Sequence, residues 1–234
     1  MNATQFKQEI NKAFTDIDAG FFDNVEKYKV FLQDYNQKVN LTRLDTEDKI
    51  YGDYFYESVI PFQNVHLTNL RTVLDIGSGS GIPGVVLKLM YPHLDLTIIE
   101  SNNKKVTFLN KLCEMLGIKV TVLYQRAELI QANQREAFEL VTSRAVAALS
   151  ILVELSIPYL KVGGTLIEPK TMNATNEIKQ AETKIEQLGG KLVIVDQFMS
   201  VNKVNHHVVI VKKIAPTNHQ YPRIWQEIIK DEDV

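Results

Sequence analysis

The sequence predicts an α/β protein in which a mostly parallel sheet follows a helical extension and ends in an antiparallel strand pair. Three observations predict it. From residue 71 onward, short apolar runs alternate with amphipathic segments of 10 to 16 residues, the pattern of successive βαβ units. The last two runs, 191–199 and 206–214, are joined by about six residues with no crossover helix, so they pair antiparallel. Residues 1 to about 66 show apolar repeats at three- and four-residue steps and no strand signal.

In order, Phe21, Phe22, Val25, Tyr28, Phe31, Leu32, Tyr35 and Val39 mark one face of a long helix, which Asn40, Leu41 and Thr42 break. A shorter helical segment runs from about 47 to 58 and Pro61 closes it. A strand follows at 71–77, a helix at 84–92 stopped by Pro92, and a strand at 95–100. An amphipathic helix over 104–117 ends at Gly117, the residue that tolerates a left-handed terminus. Strands follow at 119–124 and 138–144, the second leading into a long apolar helix to about 160. Gly163-Gly164 turns into a strand at 165–170, and a helix over 173–188 ends at Gly189-Gly190 before the closing strand pair. These changes of texture divide the chain into a helical cap over 1–66, an α/β domain over 67–215 and a tail over 216–234.

At 234 residues the chain is long enough to bury a substantial core. Its net charge of −2 excludes a domain-wide basic surface, so any nucleic-acid contact must rest on a local patch. The single cysteine, Cys113, excludes an internal disulfide framework and reads as a small core residue beside Leu112 and Leu116. The N-terminal stretch has no uninterrupted apolar run, so no signal peptide is expected, and no segment approaches the ~20 apolar residues of a membrane span. A cytoplasmic protein without membrane contact is expected. His206 and His207 are adjacent and in a strand point to opposite faces, and no Cys/His spacing suggests zinc, so no metal is expected. Nothing calls for an obligate dimer, and a monomer is expected.

The strongest local signal is the loop from Asp75 to Gly84, Asp-Ile-Gly-Ser-Gly-Ser-Gly-Ile-Pro-Gly. It joins a strand to a helix at the carboxyl end of the sheet, where open α/β folds bind ligands, and its glycines let backbone approach a ligand closely. Gly79 to Gly84 matches a dinucleotide fingerprint, a weak signal alone, but that match starts two residues after the first glycine, Gly77. Asp75, just before the glycines, would oppose a diphosphate and suit a ligand carrying amino and sulfonium cations. Glu100 ends the second strand, where a carboxylate accepts both ribose hydroxyls; dinucleotide and adenosyl ligands share that contact, so Glu100 alone does not decide. After the third strand, Arg126-Ala127-Glu128 offers a polar edge for adenine or, equally, an acidic helix start.

The motifs YNQKVNLT (35–42), the GIPG ending of the loop (81–84), IIESNNKKVTFL (98–109), RAE (126–128), VTSRAVAAL (141–149) and YPR (221–223) are spread over most of the chain. With them the sequence resembles the bacterial glucose-inhibited division protein B family, the small-subunit ribosomal RNA guanine-N7 methyltransferases. The resemblance implies a Rossmann-like class I methyltransferase fold with seven strands and a helical extension. It implies S-adenosylmethionine as methyl donor and N7 of a guanine in 16S ribosomal RNA, alone or in the small subunit, as acceptor. By the resemblance, cofactor contacts fall on Gly77, Ile82, Ala127, Glu128 and Arg144, with Asp75, Gly79, Gly81 and Glu100 in the same pocket. The chain departs from the family where Tyr54 and Glu57 replace a usual histidine and aspartate, at Lys170-Thr171, where a Lys-Gly is common, and in its acidic final residues.

Guanine N7 carries an in-plane lone pair and no proton, so its methylation needs alignment rather than a general base. No base constellation is evident, and the end of the fourth strand reads Thr142-Ser143-Arg144-Ala145 in place of an Asn-Pro-Pro-Tyr motif. Arg144 is the candidate catalytic residue, orienting the cofactor or the guanine edge. Candidate RNA contacts are Lys104, Lys105, Lys111, Lys170, Lys212, Lys213 and Arg223. Two other readings use the same fold: a non-catalytic RNA-binding or assembly factor, motivated by the altered 54–58 segment, and an NAD-dependent oxidoreductase.

Overall fold

A computed structural model of the chain describes residues 1–39, 46–144, 146–171 and 175–232. Apolar runs buried on both faces form the central strands, because such runs need cover on either side. The strands are β1 (Thr72–Ile76), β2 (Asp95–Glu100), β3 (Thr121–Tyr124), β4 (Phe138–Ser143), β5 (Leu160–Lys170), β6 (Gly190–Met199) and β7 (Asn205–Lys213). They form one seven-stranded sheet in the order β3-β2-β1-β4-β5-β7-β6. β1 pairs in parallel with β2 and β4, and β4 with β5; β7 runs antiparallel between β5 and β6. The chain winds outward from β1 to β3 and then returns to β4 on the other side of β1. That reversal opens a crevice at the carboxyl ends of β1 and β4.

The helices are α1 (Ala3–Ala13), α2 (Phe21–Val39), α3 (Glu47–Lys49), α4 (Glu57–Val59), α5 (Gly84–Met90), α6 (Asn103–Leu116), α7 (Leu149–Ser156), α8 (Thr175–Gln187) and α9 (Trp225–Ile228). Asn2 and Gln5 close a reciprocal capping box on α1, and Gly117 ends α6 in the left-handed conformation. Phe6, Phe21, Tyr28, Phe55 and Phe62 of the cap share one core with α5 and α6 on one face of the sheet. α7 and α8 bury Leu149, Val153, Ala181 and Ile185 on the other. The cap therefore contributes its aromatic side chains to the α/β body instead of standing apart from it.

The helical segment expected over about 47–58 is present, with a π-helical turn over Ile50–Tyr56 between α3 and α4. Two local expectations are corrected. The helix expected to reach residue 160 stops at Ser156, and Ile157–Tyr159 forms a single 3₁₀ turn carrying Pro158, whose ring cannot sit in a helix interior. Gly163-Gly164 does not precede a strand but lies within one, where β5 shifts register against β4; a Cβ on Gly164 would stand 2.8 Å from the Lys161 carbonyl. The expected break at Asn40–Thr42 lies outside the described residues.

Candidate active site

The glycine loop is fastened from beneath. Asp75, the fourth residue of β1, is fully buried, and its Oδ2 accepts from Ser78 Oγ at 2.6 Å and from the Gly84 amide at 2.8 Å. One carboxylate thus ties both ends of the loop together. Burial pushes the Asp75 carboxyl up to about 7. The expectation that Asp75 meets a cationic ligand is replaced by this role in holding the loop. Gly77 has φ +68°, and a Cβ there would lie 2.7 Å from Val146 Cγ2, so only glycine permits the approach of loop and facing segment. Gly81 has φ +108°, and a Cβ would fall 2.4 Å from the Tyr28 hydroxyl.

Above the loop the cap closes down. The Tyr28 hydroxyl donates to the Ser80 carbonyl, and the Tyr54 hydroxyl lies 2.8 Å from that carbonyl and 2.7 Å from Ser80 Oγ. Tyr54 therefore has a function at the position where the family usually carries histidine: with Tyr28 it clamps the loop to the cap. Burial raises its phenol to about 12, so it stays a neutral donor.

Glu100 ends β2 with its Oε2 accepting from the Gly79 amide at 3.0 Å and its Oε1 from the Asn102 amide at 2.8 Å. Each oxygen retains a lone pair, enough to accept the two hydroxyls of a ribose. Beside it, at the ends of β1 to β3, is a cavity of about 230 Å³ whose wall includes Gly77, Ser101, Ala127, Glu128, Val146 and Trp225. Arg126 donates to Glu128 and lies over the Trp225 ring at 4.9 Å from its centroid. A carboxylate for a ribose, a glycine backbone wall and an indole suit an adenosine-bearing group. Gly77, Ala127 and Glu128 meet here as expected, with Gly79 and Glu100 alongside. Gly81 and Ile82 turn instead toward the cap, whose core they pack against. Ser101, Val146 and Trp225 were not foreseen, and for Trp225 no local signal existed: it stands in the tail, about 100 residues from the segments it joins.

Arg144 is absent from the wall of that cavity. Its Nη2 donates to the Asp53 carbonyl at 2.7 Å and its Nη1 to the Tyr54 carbonyl at 3.2 Å, tying the end of β4 to the π turn. It lines a second cavity of about 310 Å³ next to the first, with Glu57, Phe198 and His206. The cavities adjoin through neighbouring residues, Val146 lining one and Ala147 the other.

Three expected phosphate contacts are committed inside the fold. Lys170 donates to the Ala147 carbonyl at 2.9 Å and pairs with Glu177 at 3.0 Å. Lys213 is buried against Glu136 at 2.8 Å and the Ile157 carbonyl at 3.0 Å. Arg223 grips Glu154, a fully buried carboxylate that Lys184 also reaches at 3.0 Å. A buried carboxylate needs cationic partners, and these residues supply them. Lys104 and Lys105 sit in the first turn of α6, Lys105 Nζ lying 3.9 Å from where a Gly79 Cβ would be. Lys111 is exposed over the Tyr35 ring, and exposed Lys212 donates to Thr165 Oγ1 at 2.9 Å. Burial pushes the Cys113 thiol up to about 11, in keeping with a core residue. Among the described residues no group of three or more His, Cys, Asp or Glu is placed to hold a metal ion, and no helix is long and apolar enough to cross a membrane.

The family model described as rRNA small subunit methyltransferase G matches residues 22–209. The chain belongs to the rRNA small subunit methyltransferase G family. It is 39% identical over 235 residues to Ribosomal RNA small subunit methyltransferase G of Ureaplasma parvum serovar 3, covering 98% of this chain and 99% of that one. It is 35% identical to the protein of that name from Halalkalibacterium halodurans, over 95% of both. Among solved structures, the StiE O-MT segment superposes with a TM-score of 0.56 at 15% identity, over 75% of this chain and 78% of that one. M. jannaschii TYW2 in complex with AdoMet superposes at 0.52 and 17% identity, over 62% and 70%. These likenesses establish the class I methyltransferase fold, and membership of this family identifies the chain as an enzyme that uses S-adenosylmethionine.

Proposed function

We propose that this chain transfers a methyl group from S-adenosylmethionine to N7 of a guanine in small-subunit ribosomal RNA. The observation that carries the reading is the pairing of an adenosine-type cavity with an adjoining polar cavity at the switch point of the sheet. The cofactor, when bound, supplies an electrophilic methyl: the N7 lone pair forms the new N–C bond while the C–S pair stays on sulfur, leaving a neutral thioether and a cationic ring. No proton moves, so the protein's part is alignment and electrostatics. Glu100 accepts from the ribose, Ala127 and Glu128 border the adenine, and the backbone at Gly77 allows close approach. Arg144 fixes the wall between the cavities to the cap. The 67–215 segment carries the cofactor, the 1–66 segment holds its loop, and the tail over 216–234 completes the cofactor wall through Trp225. Lys104, Lys105 and Lys111 on α6 contact RNA phosphates, so binding weakens steeply with salt. The enzyme acts as a monomer in the cytoplasm, where its substrate is made.

Incubation with labelled S-adenosylmethionine and unmethylated small-subunit particles tests this. Label on guanine N7 is expected, and its absence would leave an RNA-binding factor as the better reading. Calorimetry should show binding of S-adenosylhomocysteine and none of NAD. Arg144→Ala frees the Asp53 and Tyr54 carbonyls, so it should cost about 1–3 kcal/mol of stability and, in the protein that remains folded, reduce methylation. Unchanged turnover and cofactor affinity would remove Arg144 from the mechanism.

A further inference from the structure

The second cavity draws its polar and aromatic wall from residues far apart in the chain: Glu57 at the start of α4, Arg144 after β4, Lys170 ending β5, Phe198 on β6 and His206 on β7. Phe198 and His206 are cross-strand partners whose rings stack at 5.3 Å between centroids and 20° between planes. Lys170 holds the Ala147 carbonyl, fixing the wall shared with the cofactor cavity. Glu57 is ion-paired with Arg144 but keeps hydrogen-bonding capacity. Its Oε1 accepts from the Val201 amide at 3.2 Å, while its Oε2 stands 3.7 Å from Arg144 Nη2, beyond hydrogen-bond range. Arg144 is already satisfied by two backbone carbonyls. Among the described residues Oε2 has no hydrogen-bond donor, and Oε1 keeps a second lone pair.

We propose that this cavity seats the target base, with the Glu57 carboxylate accepting the N1 and N2 hydrogens of guanine and the Phe198–His206 pair supporting its face. The assignment rests on the methyl-transfer reading above and gives it a base-recognition site. Guanine presents two adjacent donors, N1–H and N2–H₂, which match the two oxygens of a carboxylate. Adenine presents a lone pair at N1 and would be repelled, so the pocket selects guanine. A base held by its N1–N2 edge carries N7 free on the other ring, available to the neighbouring cavity. Enzymes that modify a base take it out of its stack, and RNA-binding sites support such bases on aromatic side chains. The carboxylate also contributes to rate. As methylation makes the ring cationic, N1–H becomes a stronger donor, and a contact that strengthens toward the transition state accelerates the step.

The test compares purified full-length wild type with Glu57→Gln, whose amide places a donor against guanine's donors. S-adenosylhomocysteine affinity, read by calorimetry, should stay within about twofold, while methylation of unmethylated small-subunit particles falls by roughly 100-fold, the loss expected for two hydrogen bonds to a charged acceptor. Glu57→Asp, which restores the charge, should recover at least about a tenth of the wild-type rate. Turnover of Glu57→Gln within about threefold of wild type overturns the assignment. Should Glu57→Gln lose S-adenosylhomocysteine binding or its circular-dichroism signature, His206→Ala carries the test. Loss of that ring should cost roughly tenfold in turnover with cofactor affinity retained, as for loss of base–aromatic stacking, and no loss overturns the assignment. A wild-type protein that labels no guanine N7 refutes the methyl-transfer reading itself, a result distinct from a failure of the variants alone.

Discussion

The two adjoining cavities are built by opposite means. The one at the ends of β1 to β3 takes most of its wall from the segments that directly follow those strands, Gly77, Ser101 and Gln125–Glu128, with Val146, Leu155 and Trp225 added from farther along the chain. The one beside β4, β5 and β7 is made of charged and aromatic side chains brought together from residues 57 to 206. A backbone-walled pocket leaves its mark as glycines at fixed positions, since only glycine tolerates the approach. A side-chain pocket leaves no local mark, since any of its members is equally at home on an ordinary surface.

Gly77→Ala is the sharpest way to break the contrast. The new Cβ meets Val146 at 2.7 Å and the backbone is at φ +68°, so S-adenosylhomocysteine affinity should fall by about 100-fold or more in calorimetry. Binding that survived would show that the wall is as adaptable as its neighbour. Trp225→Ala removes the one large side chain that the tail lends to this cavity, and should weaken cofactor binding by roughly tenfold. Because Trp225 is the only tryptophan, wild-type fluorescence should respond to S-adenosylhomocysteine, and a silent signal would detach the tail from the site.

Asp75 in β1 and Glu168 in β5 are both fully buried. Burial pushes Glu168 up to about 8, against the hydrogen bond it accepts from Ser143 Oγ at 2.7 Å. Their unfolded values lie near 4, so the native state binds the extra protons between pH 4 and 8. The stability these acids contribute is therefore complete below about pH 4 and is lost as pH rises through 7 to 8, at up to about 1.4 kcal/mol per pH unit per proton. Glu168→Gln should flatten the decline of the denaturation midpoint between pH 5 and 8, and an unchanged slope would mean that Glu168 does not titrate there. The smallest effect is expected from Tyr54→Phe. Tyr28 still donates to the Ser80 carbonyl, so the loss is about 1 kcal/mol of stability and a few-fold rise in KM for the cofactor, with kcat unchanged.

Chain order alone carried a good deal of this protein. The seven strands, the antiparallel pair and the left-handed end of α6 at Gly117 were legible, because they depend on residue periods and on backbone geometry within single βα units, while the meeting of Gly77, Ala127 and Glu128 was legible only through the family resemblance. Tertiary structure alone decided how the charges were spent. Lys170, Lys213 and Arg223 look in sequence like Lys104, yet three of these four cations are paired with carboxylates of the chain itself, the one at Arg223 fully buried. It also decided that Asp75 serves the loop, that Arg144 reaches the cap, and that Trp225 and Glu57 come to the site at all. The physical reason is range: a turn or a helix end is determined by neighbours a few residues away. The partner of a charge is determined by whichever group the packed core brings within about 3 Å.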